Sequence, residues 1–258
     1  MHHTHIDRYA GLESPIHTLE PRLKLAAALS FVFLVVLTPD GWFASFGVYA
    51  LLVWAAVVSS RVPKGYVLKR SLTLLPFALA VSIFVPFTTS GRTIWEVHWW
   101  ILDGRMTAEG LVRFASLSLK ALLSFFATIT LAATTPFGEL MKAFGALGLP
   151  AKLVVVLSFM YRFLFLIIDE TSHMLLARDL RGGGGKSLIR ASGGIVGALL
   201  VRSMEHAEAL SRAMILRGYT GQPVSLHESR IRVRDIAFSS GFLGVAAAGL
   251  VLGRIVNA

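Results

Sequence analysis

Apolar residues run along this chain in blocks separated by short polar breaks. The blocks are Leu23 to Leu37, Trp42 to Val58, Leu72 to Phe87, Phe114 to Ala133 and Ile236 to Val251. The first three are at the short end of the ~17–25 residues a helix needs to cross a bilayer. The turn "TPDG" closes the first block, and Pro76 interrupts the third, which ends near Pro86. Between the third and fourth blocks, "TIWEVHWWILDGRMT" partly alternates, which predicts a small hairpin turning at Asp103-Gly104. Trp95, Trp99 and Trp100 there suit a membrane interface.

The segment after Ala133 has another rhythm. Thr135 is placed to cap a helix, with Pro136 at its first position and Glu139 in its first turn. Pro150 opens a longer helix, and neither proline nor glycine follows it until Gly182. A continuous helix to Arg181 would be roughly 48 Å long. Its first half, "KLVVVLSFMYRFLFLII", is apolar, and its second, "DETSHMLLARDLR", is amphipathic. A second long helix follows, ended by Gly218 as Gly182 ends the first. In it Gly193, Gly194, Gly197 and Ala198 form small-xxx-small pairs that let helices cross closely. Glu208 and Arg212, four apart, support its exposed face.

These patterns predict an all-α, polytopic membrane protein with five to six transmembrane helices and long helices on one side of the bilayer. It reads as a single membrane domain: N-terminal spans over 1–134, the long helices over 135–235, and a last span over 236–258.

Composition agrees. Of 258 residues, 55% are hydrophobic and only 16% charged, against about a quarter charged in a soluble domain. The net charge of +10 would suit nucleic acid in a soluble protein. In a membrane protein it reflects Lys and Arg collected in cytoplasmic loops, so no nucleic-acid partner is expected. Cysteine is absent, which excludes disulfides and thiolate metal sites. The first 24 residues lack the apolar core of a cleavable signal peptide. The loop at 61–70 carries Arg61, Lys64, Lys69 and Arg70 and no acid, whereas 88–109 carries Arg92 and Arg105 against Glu96, Asp103 and Glu109. The first is therefore expected inside and the second outside, with the N-terminus and 134–235 inside and the C-terminus outside. Lys120, in the fourth block, is the one buried-looking cation, with a stem long enough to reach outward to the interface.

Candidate chemistry is sparse. "RGGGGKS", Arg181 to Ser187, resembles a phosphate-binding loop, but the glycine that motif needs at position 180 is Leu180, and a helical pattern precedes it. Gly182, Gly183, Gly184 and Gly185 read instead as a flexible joint. His2, His3 and His5 are weak candidates for a divalent ion, since a free terminus holds imidazoles loosely. The remaining histidines are scattered and make no zinc-protease spacing. The five blocks contain no Asp or Glu, which argues against an ion-coupled secondary transporter, the alternative class. No HExxH, no G-x-S-x-G and no paired intramembrane aspartates occur, so no catalytic residue and no cofactor are expected. Arg162 is the main intramembrane charge. It either pairs with Asp169 or Glu170 or reaches the interface, or it contacts another subunit.

The two long helices end alike, one in Ala177-Arg178-Asp179 and the other in Leu216-Arg217-Gly218. A cation at a helix C-terminus offsets the dipole by ~0.3–1 kcal/mol. A guanidinium can also bind carboxylates or carbonyls two at a time, which suits a docking tip. At this point the chain resembles a known family, the transmembrane (T) component of energy-coupling factor transporters, of the cobalt/nickel CbiQ type. "SPIHTLEPRLKL" is similar to the family's N-terminal signature and "TTPFGELMKAFGALGLPAKLVVVLSFMYRFLFLIIDE" to its central block. "ARD" and "LRG" stand where the family has two short x-Arg-x motifs. One departure is Asp179, where the family usually has a small residue; it is placed to pair with Arg178 or Arg181 and so to soften docking.

The resemblance implies a subunit that binds no ATP. It would couple two cytoplasmic ATP-binding cassette subunits to a separate membrane protein that captures the substrate. Arg178 and Arg217 would dock on the ATPases, and the long helices would act as levers. The setting implied is the bacterial cytoplasmic membrane and the cargo cobalt, less readily nickel. A T component of a vitamin importer is the alternative within the family.

Overall fold

The computed structural model describes residues 12, 14–89, 93–99, 102–181, 188–219 and 232–256. They fall into two compact units. One takes in the described residues up to Ala143 together with those from Arg232 onward, the other those from Phe144 to Tyr219.

The first unit begins with a turn over Pro15–Leu19 and then α1, Pro21–Leu37. Pro21 opens α1 because its fixed φ suits the first turn and its missing N–H costs nothing there. Thr38 closes it, donating its hydroxyl to the Leu34 carbonyl at 2.9 Å. Gly41, at φ +88°, makes the bend into α2, Phe43–Ser59. Next come α3, Lys64–Ser82, with Pro76 inside it, and α4, Val85–Thr88. Here the expected basic loop is corrected. The loop shrinks to Ser60–Pro63, and Lys64, Lys69 and Arg70 lie on α3. Long cationic side chains are good helix formers, and Pro63 supplies the boundary.

An antiparallel hairpin follows, β1 Thr93–Trp99 with β2 Leu102–Thr107. Its turn is not at Asp103-Gly104. The register pairs Trp99 with Leu102, His98 with Asp103 and Val97 with Gly104, so Asp103 and Gly104 sit inside β2. A turn centred on them would leave only 105–107 to pair before the next helix. That helix, α5, runs Ala108–Thr134, and its N-cap Thr107 accepts from Gly110 N–H at 3.2 Å and donates to Thr89 O at 2.9 Å. The hairpin is the sole sheet among the described residues; everything else regular is helical.

α6 spans Phe137–Ala146. Thr135 is not its cap, contrary to the sequence expectation. The Pro136 carbonyl accepts from Glu139 and Leu140 N–H at 3.0 Å each, so Pro136 holds that position. Thr135 instead closes α5 in an extended conformation, its hydroxyl buried and without a partner. Glu139 is in the first turn as expected. The chain returns to the first unit in α9, Val233–Val256.

The core of this unit holds Phe31 and Val35 of α1, Phe46, Tyr49, Val53 and Val57 of α2, Val67 of α3, Leu123 of α5 and Ala246 of α9. The α2 members recur at helical spacing and put one stripe inward. Tyr49 is fully buried; its ring meets Phe31 edge-on at 5.8 Å and its hydroxyl bonds Thr38 Oγ1 at 3.2 Å. α9 approaches α2 very closely. A Cβ on Gly253 would collide with Ser45 and Trp42, and one on Gly249 would press on Val48 and Tyr49. Ser45 Oγ donates to the Gly249 carbonyl at 2.9 Å. Gly249 and Gly253 are thus a G-x-x-x-G pair in use, and the sequence reading overlooked it.

The second unit contains α7, Ala151–Leu180, and α8, Leu188–Leu216. The proline- and glycine-free stretch after Pro150 is one unbroken helix, as expected. α7 has no buried residue, although its apolar stretch is the most hydrophobic of the candidate spans. Four segments among the described residues are long and apolar enough to cross a membrane: Lys64–Thr88, Ala108–Thr134, Ala151–Leu180 and Val233–Ile255. α2 is a shorter apolar helix. The expected polytopic, predominantly helical membrane fold is what the chain adopts.

Candidate coupling site

α7 and α8 meet through an ion pair between Glu170 and Arg202. Beside it lies an apolar groove of about 500 Å³, lined by Phe159, Met160 and Phe163 of α7 and by Leu199 and His206 of α8. Glu170, a sequence candidate for pairing with Arg162, is therefore engaged by Arg202, and Arg162 is exposed on α7. On α8, a Cβ at Gly193, Gly194 or Gly197 would meet open space. Glu208 and Arg212 pair at 3.6 Å on the exposed face.

The two arginine-bearing ends have different geometries. At the end of α7, Arg178 Nη2 lies 3.1 Å from Asp179 Oδ1. The Arg178 side chain is 16% exposed and Asp179 59%. Arg178 Nε and Nη1 are buried without a hydrogen-bond partner. Asp179 sits at the negative end of the helix dipole, where a carboxylate is unfavourable, and the neighbouring guanidinium offsets it. At the end of α8, Arg217 is exposed and forms the C-cap. Gly218 adopts φ +77° and donates to Ile215 O at 3.0 Å, while Tyr219 N–H reaches back to Met214 O at 2.9 Å. This double bond pattern is a Schellman ending, which needs the left-handed glycine. Leu180 and Leu216 beside the two arginines are among the most exposed apolar residues, at 80% and 88%. Gly182–Gly185, Lys186 and Ser187, and His2, His3 and His5 lie outside the described residues.

Lys24 is a polar site that the sequence reading missed. Its Nζ donates to the carbonyls of His17 at 3.3 Å and Thr134 at 3.2 Å, and it is 8% exposed. Glu139, Asp235 and Glu20 supply negative charge around it. A cavity of about 80 Å³ adjoins it, lined mostly by apolar residues such as Phe31, Val53 and Phe242, with Thr130, Thr134 and Ser239. Lys120, read from the sequence as the one buried cation, is instead paired with Asp40 of the α1–α2 turn at 2.9 Å. The acids also need correction. α5 and α9 start earlier than the apolar blocks and take Glu109 and Asp235 into their first turns. Asp235, 4% exposed, accepts from Arg232 N–H at 3.3 Å and so serves as a cap.

The described residues thus define a multi-pass membrane protein with two long helices that end in cationic tips. The sequence model of the CbiQ family, described as a cobalt transport protein, matches residues 13–227, and the chain belongs to that family. This is the family its motifs resemble. It is 28% identical over 232 residues to the energy-coupling factor transporter transmembrane protein EcfT of Macrococcus caseolyticus, covering 84% of each chain. It is 26% identical over 261 residues to EcfT of Acidaminococcus fermentans, covering 96% of this chain and 92% of that one. It is also similar to an uncharacterized protein, MJ1571, of Methanocaldococcus jannaschii, 23% identical over 246 residues.

Proposed function

We propose that this chain is the coupling subunit of an ATP-driven energy-coupling factor importer for a divalent transition metal, cobalt ahead of nickel. It is a non-catalytic link in this reading. Two cytoplasmic ATP-binding cassette subunits grip Arg178 and Arg217, and α7 and α8 carry their closing motion to a membrane subunit that captures the substrate. The setting is a bacterial cytoplasmic membrane, with the N-terminus and both arginines inside. One observation carries the reading: in a chain of the CbiQ family, two long helices each end in an arginine beside a fully presented leucine. Arg217 offers a bidentate fork to carboxylates or helix-end carbonyls as it stands, Arg178 does so once Asp179 releases it, and the leucines offer apolar anchors.

The test is to co-express the chain with its neighbouring transport genes, purify the assembly, reconstitute it and follow ATP-dependent uptake of radiolabelled cobalt and nickel. Cobalt accumulation that stops without ATP supports the proposal. Uptake by this chain alone, driven by an ion gradient, refutes it.

A second reading keeps the same mechanical role in a vitamin importer; the EcfT relatives are named for the energy-coupling factor transporter and for no cargo. A vitamin accumulating where cobalt does not would select it.

A further inference from the structure

The junction of α2 and α3 concentrates positive charge that nothing in the described chain neutralises. Between Asp40 and Glu96 the sequence has no Asp or Glu, yet Arg61, Lys64, Lys69 and Arg70 fall within ten residues of one another. All four are exposed, and none has an acidic partner among the described residues.

One of these cations, Lys64, is at the wrong end of a helix. Lys64 is the first residue of α3, and Lys69 and Arg70 follow within two turns. A helix N-terminus carries positive potential, so cations there repel it and anions are favoured. The first turn holds no acid, and Pro63 provides no side-chain cap. Among the described residues no acceptor meets the N–H groups of Lys64 and Gly65, two of the donors a helix start leaves unpaired. Helical side chains lean toward the N-terminus, and Lys69 and Arg70 stand about 140° and 240° round the helix from Lys64, so the three cations ring its first two turns.

Arg61 adds an independent sign. It is the one non-glycine residue with positive φ, 56°, among those described. A left-handed bend at that point is served best by glycine, and retaining arginine there costs backbone energy for the sake of its side chain. The surroundings are those of a membrane interface. Trp54 is 51% exposed, and the Lys64 ammonium lies 5.6 Å from its ring centroid. Leu68 and Leu72 are also exposed, as lipid-facing residues of a spanning helix would be.

We propose that the α2–α3 junction binds the headgroups of anionic phospholipids, with Arg61, Lys64, Lys69 and Arg70 forming a cationic collar around the start of α3. Lipid phosphates meet the outward N–H groups and the collar, while the acyl chains run along the exposed apolar face below. Clusters of four or more basic residues at the end of a span bind anionic lipid in this way. The inference stands whether or not the transport reading holds.

The test uses the full chain in nanodiscs of phosphatidylcholine with a minor share of phosphatidylglycerol. Native mass spectrometry then counts the lipids retained. The wild type is expected to keep phosphatidylglycerol in at least tenfold preference. R61G combined with K64Q, K69Q and R70Q is expected to lose that preference. Arg254→Gln, which removes an exposed cation from the last turn of α9, keeps it. R61G alone is expected to melt no lower than wild type, because glycine relaxes the bend, and yet to retain less phosphatidylglycerol. An equal preference in wild type and quadruple variant overturns the proposal. So does displacement of the lipid by millimolar inorganic phosphate, which would make the site one for free anions. Capture of a soluble acidic peptide in place of lipid overturns it as well.

Discussion

Lys24, near the start of α1, donates through Nζ to the main-chain carbonyl of Thr134, the last residue of α5, at 3.2 Å. A second bond to His17 ties in the N-terminal turn. One buried ammonium therefore joins three parts of the first unit, just before the chain leaves that unit through α6.

Replacing Lys24 by methionine keeps its length and removes its donors. The Thr134 carbonyl then loses its side-chain donor, and nearby carboxylates lose their counter-charge. Leaving a buried polar group unpaired costs about 1–3 kcal/mol, so the purified chain should melt several degrees lower. An unchanged melting temperature would show that the bonds contribute nothing net.

Gly253→Leu should disrupt α9 against α2, because Ser45 and Trp42 occupy the space a side chain needs. Overpacking of this kind costs typically 1–3 kcal/mol. Gly197→Leu should leave the melting of the isolated chain unaltered, since its surroundings are open. If the α8 glycines make a helix crossing in the assembled transporter, Gly193→Leu with Gly197→Leu will reduce co-purification of partner subunits. Intact assembly and uptake would show those glycines to be incidental.

Arg217→Ala should weaken ATPase docking more than Arg178→Ala, because Arg178 is already held by Asp179. Loss of a charge-assisted contact is worth about 1.5–3 kcal/mol, or roughly ten- to a hundredfold in affinity. Asp179→Ala frees the Arg178 guanidinium and should tighten docking. Pull-down of the ATPase across a salt series checks all three, and undiminished recovery with the double arginine variant would refute the docking role.

Lys186→Ala should leave ATP binding by the assembled complex unchanged, because Leu180 stands where a phosphate-binding loop requires glycine. A photoreactive nucleotide that labels this chain near Gly185 would contradict this.

The helices were legible in the sequence because a long apolar run needs only one property, hydrophobicity, to declare itself. Their ends were less so. Lys64, Lys69 and Arg70 read as loop because charge marks the edge of an apolar block, not the edge of a helix. Thr135 looked like a cap by residue type, but the chain turns one residue later, at Pro136. Lys24 could not be read from local pattern, since its partner Thr134 is 110 residues away and offers a carbonyl, which any residue has. The arginine tips were visible as matched tripeptides, and Asp179 was legible as a local partner; which arginine it takes, Arg178, depends on side-chain reach. Gly249 and Gly253 were within reach of the same small-xxx-small test applied to α8, and were simply hidden inside a block already assigned as a span.

α7 is thirty residues long and buries none of them. On the reading proposed above, a cell that made this chain in excess would accumulate copies in which the apolar first half of α7, a rod built to meet other subunits, lacked those partners. Such surplus is what membrane proteases remove, so the steady amount of this subunit would follow the supply of the proteins that sheathe that rod.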